Sequence, residues 1–463
     1  MNGKQDQKRG VVASDLQAAF DLLDEHVDLR QVDRDAPLRN NAVYTNGLAL
    51  WMMVLQRLTP QGTLESSVKQ LVESGSSLLP KGNKRVTEKT LSLNTAAFSN
   101  ARQRLPLECV YWLHEQVSSS IIARHRPTAK GLRFFVIDGT TLSLTPTGEL
   151  RKAYPPAQNQ HGSGVWPIVN MAAAHELESG CALRPEFGPM YGGQAISETR
   201  LACRCVERLP AGAAVLADAG FGIFFFAYHC RRQAHPFLMR LTKERWRKLV
   251  KQATLEAQGE GWKTYQLNWR PSPKDRANNP ELPADARLEV RLHECVVHAN
   301  LTLHQVTDID GSARRLAEHY LQRGEIEIDI RNFKVVMNAE TLRAKSLAMF
   351  EKELITSLVA YNLVVQFRRH AAELANVEPR RMSFKRTWTT FTIFLLGKPA
   401  TADMQEWGSR YREALRVAQY DKLPHRPGRQ YPREAYPRRP KTTHFKKRKP
   451  TSCKDEPPGN ELK

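Results

Sequence analysis

Two runs of four consecutive apolar residues, Phe134-Phe135-Val136-Ile137 and Ala214-Val215-Leu216-Ala217, constrain this chain more than any other feature. An unbroken apolar run too short for a helix reads as a strand covered on both faces, which calls for helices layered on a sheet. Each run stops on an acid with a glycine close behind, in Asp138-Gly139-Thr140 and Asp218-Ala219-Gly220-Phe221. Between the runs, residues 168–174 and 183–187 read as extended, and Ser197 opens a helix to about Leu209; a further strand is expected over 237–241. Strand, strands, helix, strand is an α/β order with a mixed-sheet core. Both aspartates fall at the C-terminal ends of expected buried strands, the edge where open α/β sheets place ligands. The competing reading is that each only accepts backbone hydrogen bonds in its own turn.

Around this core the texture changes. Residues 1–128 read as a helical N-terminal domain that binds DNA: Leu16, Phe20 and Leu23 share a face, as do Trp51, Leu55 and Leu58. Thr63 precedes a helix over Leu64–Leu71, and Asn94 precedes one through Phe98 and Arg102 that ends before Pro106. Arg102 and Arg104 read equally as phosphate contacts or as a solvated face. The first part of the core is 129–242. Residues 243–299 read as a β-rich insertion, with a turn-rich stretch from Pro271 to Pro283 and alternating Leu288, Val290 and Leu292. Residues 300–370 complete the core, 371–421 form a helical region, and 422–463 are a disordered basic tail carrying Lys446-Lys447-Arg448-Lys449.

Charge narrows the partner. With 69 Lys and Arg against 48 Asp and Glu, the formal charge of +21 favours a polyanion, and DNA rewards each phosphate contact by releasing counterions. No apolar run approaches the roughly 20 residues that span a bilayer, and Met1–Gly10 has no apolar secretory segment, so a cytoplasmic, nucleoid-associated protein is expected. The seven cysteines are scattered without a CxxC pair and read as reduced thiols; Cys203 and Cys205, two apart on a helix, face different ways.

A third acid comes from periodicity. Tyr320, Arg323, Glu327, Arg331 and Lys334 recur at helical spacing and form one stripe, whereas Glu325 and Asp329 point elsewhere. A carboxylate among arginines, a lysine and a tyrosine can take part in metal binding while its neighbours grip phosphate oxygens; the alternative is an exposed helix with ordinary charge pairs. Phosphoryl transfer on DNA needs charge neutralisation at phosphorus, which two Mg²⁺ about 4 Å apart supply when a few carboxylates hold them.

These segments resemble the signature of insertion-sequence transposases of the fourth family, the cut-and-paste enzymes with two aspartates and a glutamate (DDE). Asp138 to Thr140 fits the first motif, and Asp218, Gly220 and Phe221 the second. The family's Tyr, Arg, Glu, Lys signature, with gaps of two, three and six residues, is reproduced by Tyr320, Arg323, Glu327 and Lys334. One departure is Gly324, where relatives commonly carry Trp; glycine within a helix costs about 1 kcal/mol relative to alanine and softens it. The resemblance covers roughly residues 95 to 365.

The resemblance implies a ribonuclease-H-like core with a β-rich insertion, and Asp138, Asp218 and Glu327 holding two Mg²⁺, with Mn²⁺ as a substitute. Tyr320, Arg323, Lys334 and Arg331 would contact DNA phosphate. It implies binding to terminal inverted repeats and target DNA, a homodimer in the synaptic complex, and a hairpin at the cleaved ends. In relatives an aromatic residue of the insertion stacks on a flipped base; Trp246, Trp262 and Trp269 are the candidates, each also readable as a packing residue. The rival functions are a regulator that binds DNA without cutting it, and a nuclease without strand transfer.

Overall fold

The structure is a computed structural model that describes residues 28–35, 42–59, 62–75, 78–124, 131–160, 162–298, 301–396 and 404–424. The expected face of Leu16, Phe20 and Leu23 and nearly all of the expected basic tail lie outside them.

The organising element is a nine-stranded sheet. In chain order the strands are β1 (Arg133–Ser143), β2 (Gln158–Asn159), β3 (Gly162–Ser163), β4 (Ile168–Glu176), β5 (Glu186–Pro189), β6 (Ala213–Ala217), β7 (Phe237–Arg240), β8 (Thr254–Gly259), β9 (Trp262–Trp269), β10 (Leu288–His298) and β11 (Leu301–Thr307). β2 and β3 make a separate ribbon, and the others run in the order β5-β4-β1-β6-β7-β11-β10-β9-β8. β1, β6 and β7 are parallel, β4 is antiparallel to β1, and β5 to β4, so this half is the mixed sheet of a ribonuclease-H-like core. The other four strands are antiparallel, and β11 is bonded to β7. The insertion therefore extends the core sheet, and the β10–β11 hairpin crosses the boundary expected at 299.

The apolar runs are buried on both faces, as their composition requires. Phe135, Ile137, Val215 and Ala217 join the larger core, while Phe134, Val136, Ala214 and Leu216 face a smaller one with Leu238, Leu316, Tyr320 and Ile326. One expectation changes: β1 does not stop at Asp138. It continues to Ser143 because Asp138, Gly139 and Thr140 pair with Ala173, Ala172 and Met171 of β4, although the parallel pairing with β6 ends at Ile137 and Ala217.

Helices α1 (Asn46–Leu58), α2 (Leu64–Ser74), α3 (Ala96–Arg104) and α4 (Leu107–Ala123) make up most of the N-terminal part. Thr45 and Thr63 cap the first two through their side chains, worth about 1 kcal/mol each. On the larger-core side lie α5 (Glu198–Val206) and α6 (Phe224–Arg232); α7 (Lys243–Val250) opens the insertion, and α8 (Ala313–Leu321) and α9 (Glu325–Arg331) follow β11. The longest, α10 (Leu347–Leu374), has 28 residues and thus runs about 42 Å, packed against α1, α4, α11 (Phe384–Leu396) and α12 (Met404–Ala418). Its Asn362 bonds both the amide and the carbonyl of Ala182 at 2.8 Å, Tyr361 bonds Gly180 O at 3.1 Å and Arg368 bonds Ser179 O at 2.7 Å. The β4–β5 connection is thus held by side chains of a helix far along the chain.

Glu353 of α10 joins the N-terminal helices to the core. Its carboxylate accepts from Arg102 at 2.6 Å, Arg57 at 3.0 Å and the amides of Arg343 and Ala344 at 3.0 and 3.1 Å. Arg104 bonds Tyr44 O, so both arginines left open between phosphate and solvent have internal partners. Replacing Glu353 with Ala leaves buried guanidinium and amide groups without an acceptor and is expected to cost about 3–5 kcal/mol in urea unfolding. A loss below about 1 kcal/mol, as for an exposed ion pair, would contradict this account.

Candidate active site

Asp138 and Asp218 stand side by side because β1 and β6 are parallel neighbours whose paired residues end one position earlier, at Ile137 and Ala217. Successive strand residues alternate faces, so Asp138 lies on the face of Phe134 and Val136, the one that carries α8 and α9. Both aspartates perform the local turn role as well. Asp138 Oδ1 accepts from the Gly139 amide at 2.9 Å, and Asp218 Oδ1 from Gly220 and Phe221 at 2.7 and 3.4 Å. Each keeps its other oxygen for the site: Asp138 Oδ2 meets Arg323 Nη1 at 3.4 Å, and Asp218 Oδ2 has no hydrogen bond among the described residues.

The segment carrying the third acid is not the uniform α-helix that its periodicity predicts. α8 ends at Leu321, a 3-10 turn covers Gln322–Gly324, α9 follows, and a π turn spans Asn332–Val336. Gly324 lies at the first junction, where helix propensity is weakest; π turns inside helices often occur at functional sites. Within this segment Arg323 is the hub: its Nη2 bonds Glu327 Oε1 at 2.5 Å while its Nη1 reaches Asp138. Lys334, in the π turn, bonds Thr141 O at 2.9 Å, Thr140 Oγ1 at 3.2 Å and Glu340 Oε1 at 3.3 Å, on the part of β1 beyond Asp138. Tyr320 is buried in the smaller core, anchoring the segment to the sheet. Arg331 is exposed and has no ion pair to these residues. Asp329 faces away, fully buried on Arg380 at 2.7 Å, and Glu325 meets the same arginine at 3.5 Å.

The electrostatics follow from crowding. Burial raises the Asp138 pKa, and the charges of Asp218 and Glu327 raise it further against Arg323 and the Gly139 amide. Burial alone would lower the pKa of Arg323, but Asp138, Tyr320, Asp218 and Glu327 together raise it. Burial pushes Tyr320 up to about 12, aided by Asp218 and Asp138 and opposed by Arg323 and Arg240. A fourth acid, Glu198, is raised by burial first and then by Asp138 and Asp218. The motifs pass over Glu198, because an acid just after a helix-capping serine reads as an ordinary partner of the helix dipole.

Among the described residues no three His, Cys, Asp or Glu side chains are close enough to share an ion as they stand, since Arg323 lies between Asp138 and Glu327. The donor set nevertheless fits a hard divalent cation. Its ligands are carboxylate oxygens, their mutual repulsion is relieved by added positive charge, and Asp218 Oδ2 is open. Cys203 and Cys205 are both buried, and burial raises their thiol pKa values, as reduced structural thiols require.

Two of the three tryptophan candidates are packed. Trp246 is stacked on His304 with centroids 4.6 Å apart, and Trp269 meets Phe224 edge-on at 5.5 Å; each is 6% exposed. Stacking either ring on a base would mean unpacking it, whereas Trp262, at the start of β9, is half-buried and packs only in part against the smaller core. A groove of about 1460 Å³ opens beside the site, lined by Ser197, Arg200, Arg245, Lys248, Arg270 and Lys274 among others. Arg245 fastens it to the second aspartate's loop by bonding Ala219 O and Gly222 O. No helix among the described residues is long and apolar enough to cross a membrane.

A family model for the transposase DDE domain matches residues 129–363, just over half of the chain and the whole span from before Asp138 to beyond Lys334. The transposase InsG for insertion sequence element IS4 of Escherichia coli (strain K12) is 26% identical over 352 residues, 73% of this chain and 75% of that protein.

A carboxyl whose pKa is higher in the folded than in the unfolded protein favours folding when protonated. Asp138 supplies that stability below the ordinary carboxylate range, and it is lost as pH rises through the raised folded value. In chelator, Asp138→Asn is therefore expected to raise the melting temperature at pH 7, with the gain shrinking toward pH 4. A variant that melts lower than wild type at pH 7 would show that the Arg323 contact outweighs the crowding.

Proposed function

Given that this chain belongs to the DDE-domain transposases, of the type of the IS4 enzyme, we propose that it binds the terminal inverted repeats of its own element and catalyses DNA strand cleavage and strand transfer. What supports this reading is that Arg323 joins Asp138 to Glu327 where β6 leaves β1, with Asp218 at the neighbouring strand end, inside the segment that matches the family.

Enzymes of this family use divalent metal ions, and here Asp138, Asp218 and Glu327 would hold two Mg²⁺, or Mn²⁺ in their place. Bound there, the cations supply charge neutralisation at phosphorus and a more acidic water. The chain's own residues supply the rest. Arg323 exchanges its carboxylate partners for phosphate oxygens, whose planar bidentate geometry suits a guanidinium. Lys334 holds the next phosphate from its seat on β1, and Tyr320, buried at the base of the segment, fixes the height of both above the sheet and supplies its hydroxyl to a nearby phosphate oxygen. Arg331, exposed one turn beyond Glu327, meets the backbone farther out.

In the first step a water attacks the phosphodiester at the element's end, and the 3′ oxygen leaves as a hydroxyl. In the second, that hydroxyl attacks another phosphodiester, either the opposite strand to form a hairpin or the target. Each step breaks one P–O bond and forms one, so the same residues serve both by positioning and charge alone. Two ends held together require two copies, hence a homodimer on DNA acting at the nucleoid. Trp262 is the candidate kept for stacking on an unpaired base.

With Mg²⁺ and a duplex carrying the element's end, Glu327→Gln is expected to lose at least about 10²–10³-fold in cleavage. Arg323→Ala and Lys334→Ala each remove a charge-assisted contact of about 1.5–3 kcal/mol and should lose roughly 10- to 150-fold. Gel resolution of nicked and joined products decides the matter. A Glu327→Gln protein that cuts like wild type would overturn the assignment, and cutting without joined products would identify a nuclease.

A further inference from the structure

α9 is only seven residues long, with a 3-10 turn before it and a π turn after it, so helix continuity does little to fix its orientation. Ile326 buries the segment in the smaller core and Phe333 in the larger one, but apolar contact is non-directional and resists lifting more than turning. Glu325 and Asp329, four residues apart, stand one above the other on the inner side, each about 200° round the axis from Glu327. One side chain holds both. Arg380, in the short turn Pro379–Arg381 between α10 and α11, meets Asp329 Oδ1 at 2.7 Å and Glu325 Oε2 at 3.5 Å, and its Nε donates to Leu177 O, just past the end of β4, at 3.0 Å. Asp329 is fully buried, with its other oxygen 3.6 Å from Nδ1 of His175 on β4. Gly180, at φ +80°, completes the seat: a Cβ there would stand 2.9 Å from Arg368 Nη2 and 3.2 Å from Asp329 Oδ1.

We propose that Arg380 is a positioning residue of the reaction centre: by gripping Asp329 and Glu325 from behind it sets the rotation of α9, and with it where Glu327 stands relative to Asp138. This rests on the reading of Glu327 as a residue of that centre. A buried ion pair recovers little more than its desolvation cost and adds less stability than apolar packing of the same volume, so what distinguishes this one is direction. The direction leads to the site, because β4, on which Arg380 and His175 anchor α9, is the strand that pairs Ala173 with Asp138. Glu327 is thus tied to Asp138 twice, in front through Arg323 and behind through Asp329, Arg380 and β4.

The test is single-turnover cleavage of a duplex carrying the element's end by the full-length protein, with Mg²⁺ varied and with DNA affinity measured in chelator. Lysine in place of Arg380 keeps the charge, so Asp329 is not left alone, but one ammonium group cannot span two acids and a carbonyl. Arg380→Lys is expected to cleave about 10- to 100-fold more slowly at saturating Mg²⁺ and to need more Mg²⁺ for half of its own maximum, with DNA affinity unchanged. Glu325 is 36% exposed and the safer position; Glu325→Gln should lose about three- to tenfold in the same way, and it decides the matter if Arg380→Lys does not fold. Asn362→Ala removes the two bonds to Ala182 on the same β4–β5 connection without touching α9; it should melt lower than wild type and yet cleave at the wild-type rate below its melting temperature. Wild-type rates and Mg²⁺ dependence in Arg380→Lys and Glu325→Gln, with Glu327→Gln inactive, would overturn this proposal and leave the reading of Glu327 standing. So would a loss that Asn362→Ala matches or that weaker DNA binding accounts for. Wild-type cleavage in Glu327→Gln would overturn both.

Discussion

The parallel pairing of β1 with β6 is the constraint on which the centre depends. Parallel neighbours place residues of equal register side by side, and pairing through Ile137 and Ala217 leaves the next residue of each strand, Asp138 and Asp218, at one point of the sheet edge. That register is held by burial on both faces, because a slip by one residue would exchange Phe135 and Ile137 with Phe134 and Val136 between two differently shaped cores. The apolar runs and the acids that end them are thus one device: hydrophobic burial sets the register, and the register brings two like charges together at an electrostatic cost.

Arg323 offsets that cost. With its side chain 16% exposed it reaches both Asp138, 19% exposed, and Glu327, 63% exposed, so an exposed acid is tied to a largely buried one through one guanidinium. The pairing is worth little at the Glu327 end, where solvent screens it, and more at the Asp138 end.

Much of this was readable from residue order. The buried strands, the helix opening at Ser197 and the separation of Asp329 from the face of Arg323 and Glu327 follow from apolar runs, a cap and a period of 3.6. Three features were not. β1 runs on past Asp138 because β4 supplies partners from farther along the chain, Ala173 for Asp138 and Ile168 for Ser143, and local sequence carries no trace of that pairing. The helix of the third acid changes winding twice, which a single period cannot express, although Gly324 hints at the first change. The approach of Glu198 to Asp138 was hidden because it depends on the absence of a side chain at Gly139, a relation between distant positions that spacing does not reveal.

The insertion shows how a site of this kind can be enlarged without being loosened. β11 bonds β7 over Gln305–Thr307, Thr307 Oγ1 donates to Phe237 O at 2.6 Å, and Asp308 accepts from the Phe237 amide at 2.7 Å. The antiparallel strands β8 to β11 are therefore joined to the core sheet through the β11–β7 pairing. α8 begins directly after that pairing, so the insertion and the segment carrying Arg323 and Glu327 share one foundation. The basic groove between α7, α5 and the Asp218 loop consequently keeps its bearing on the acids, held by Arg245 on Ala219 and Gly222.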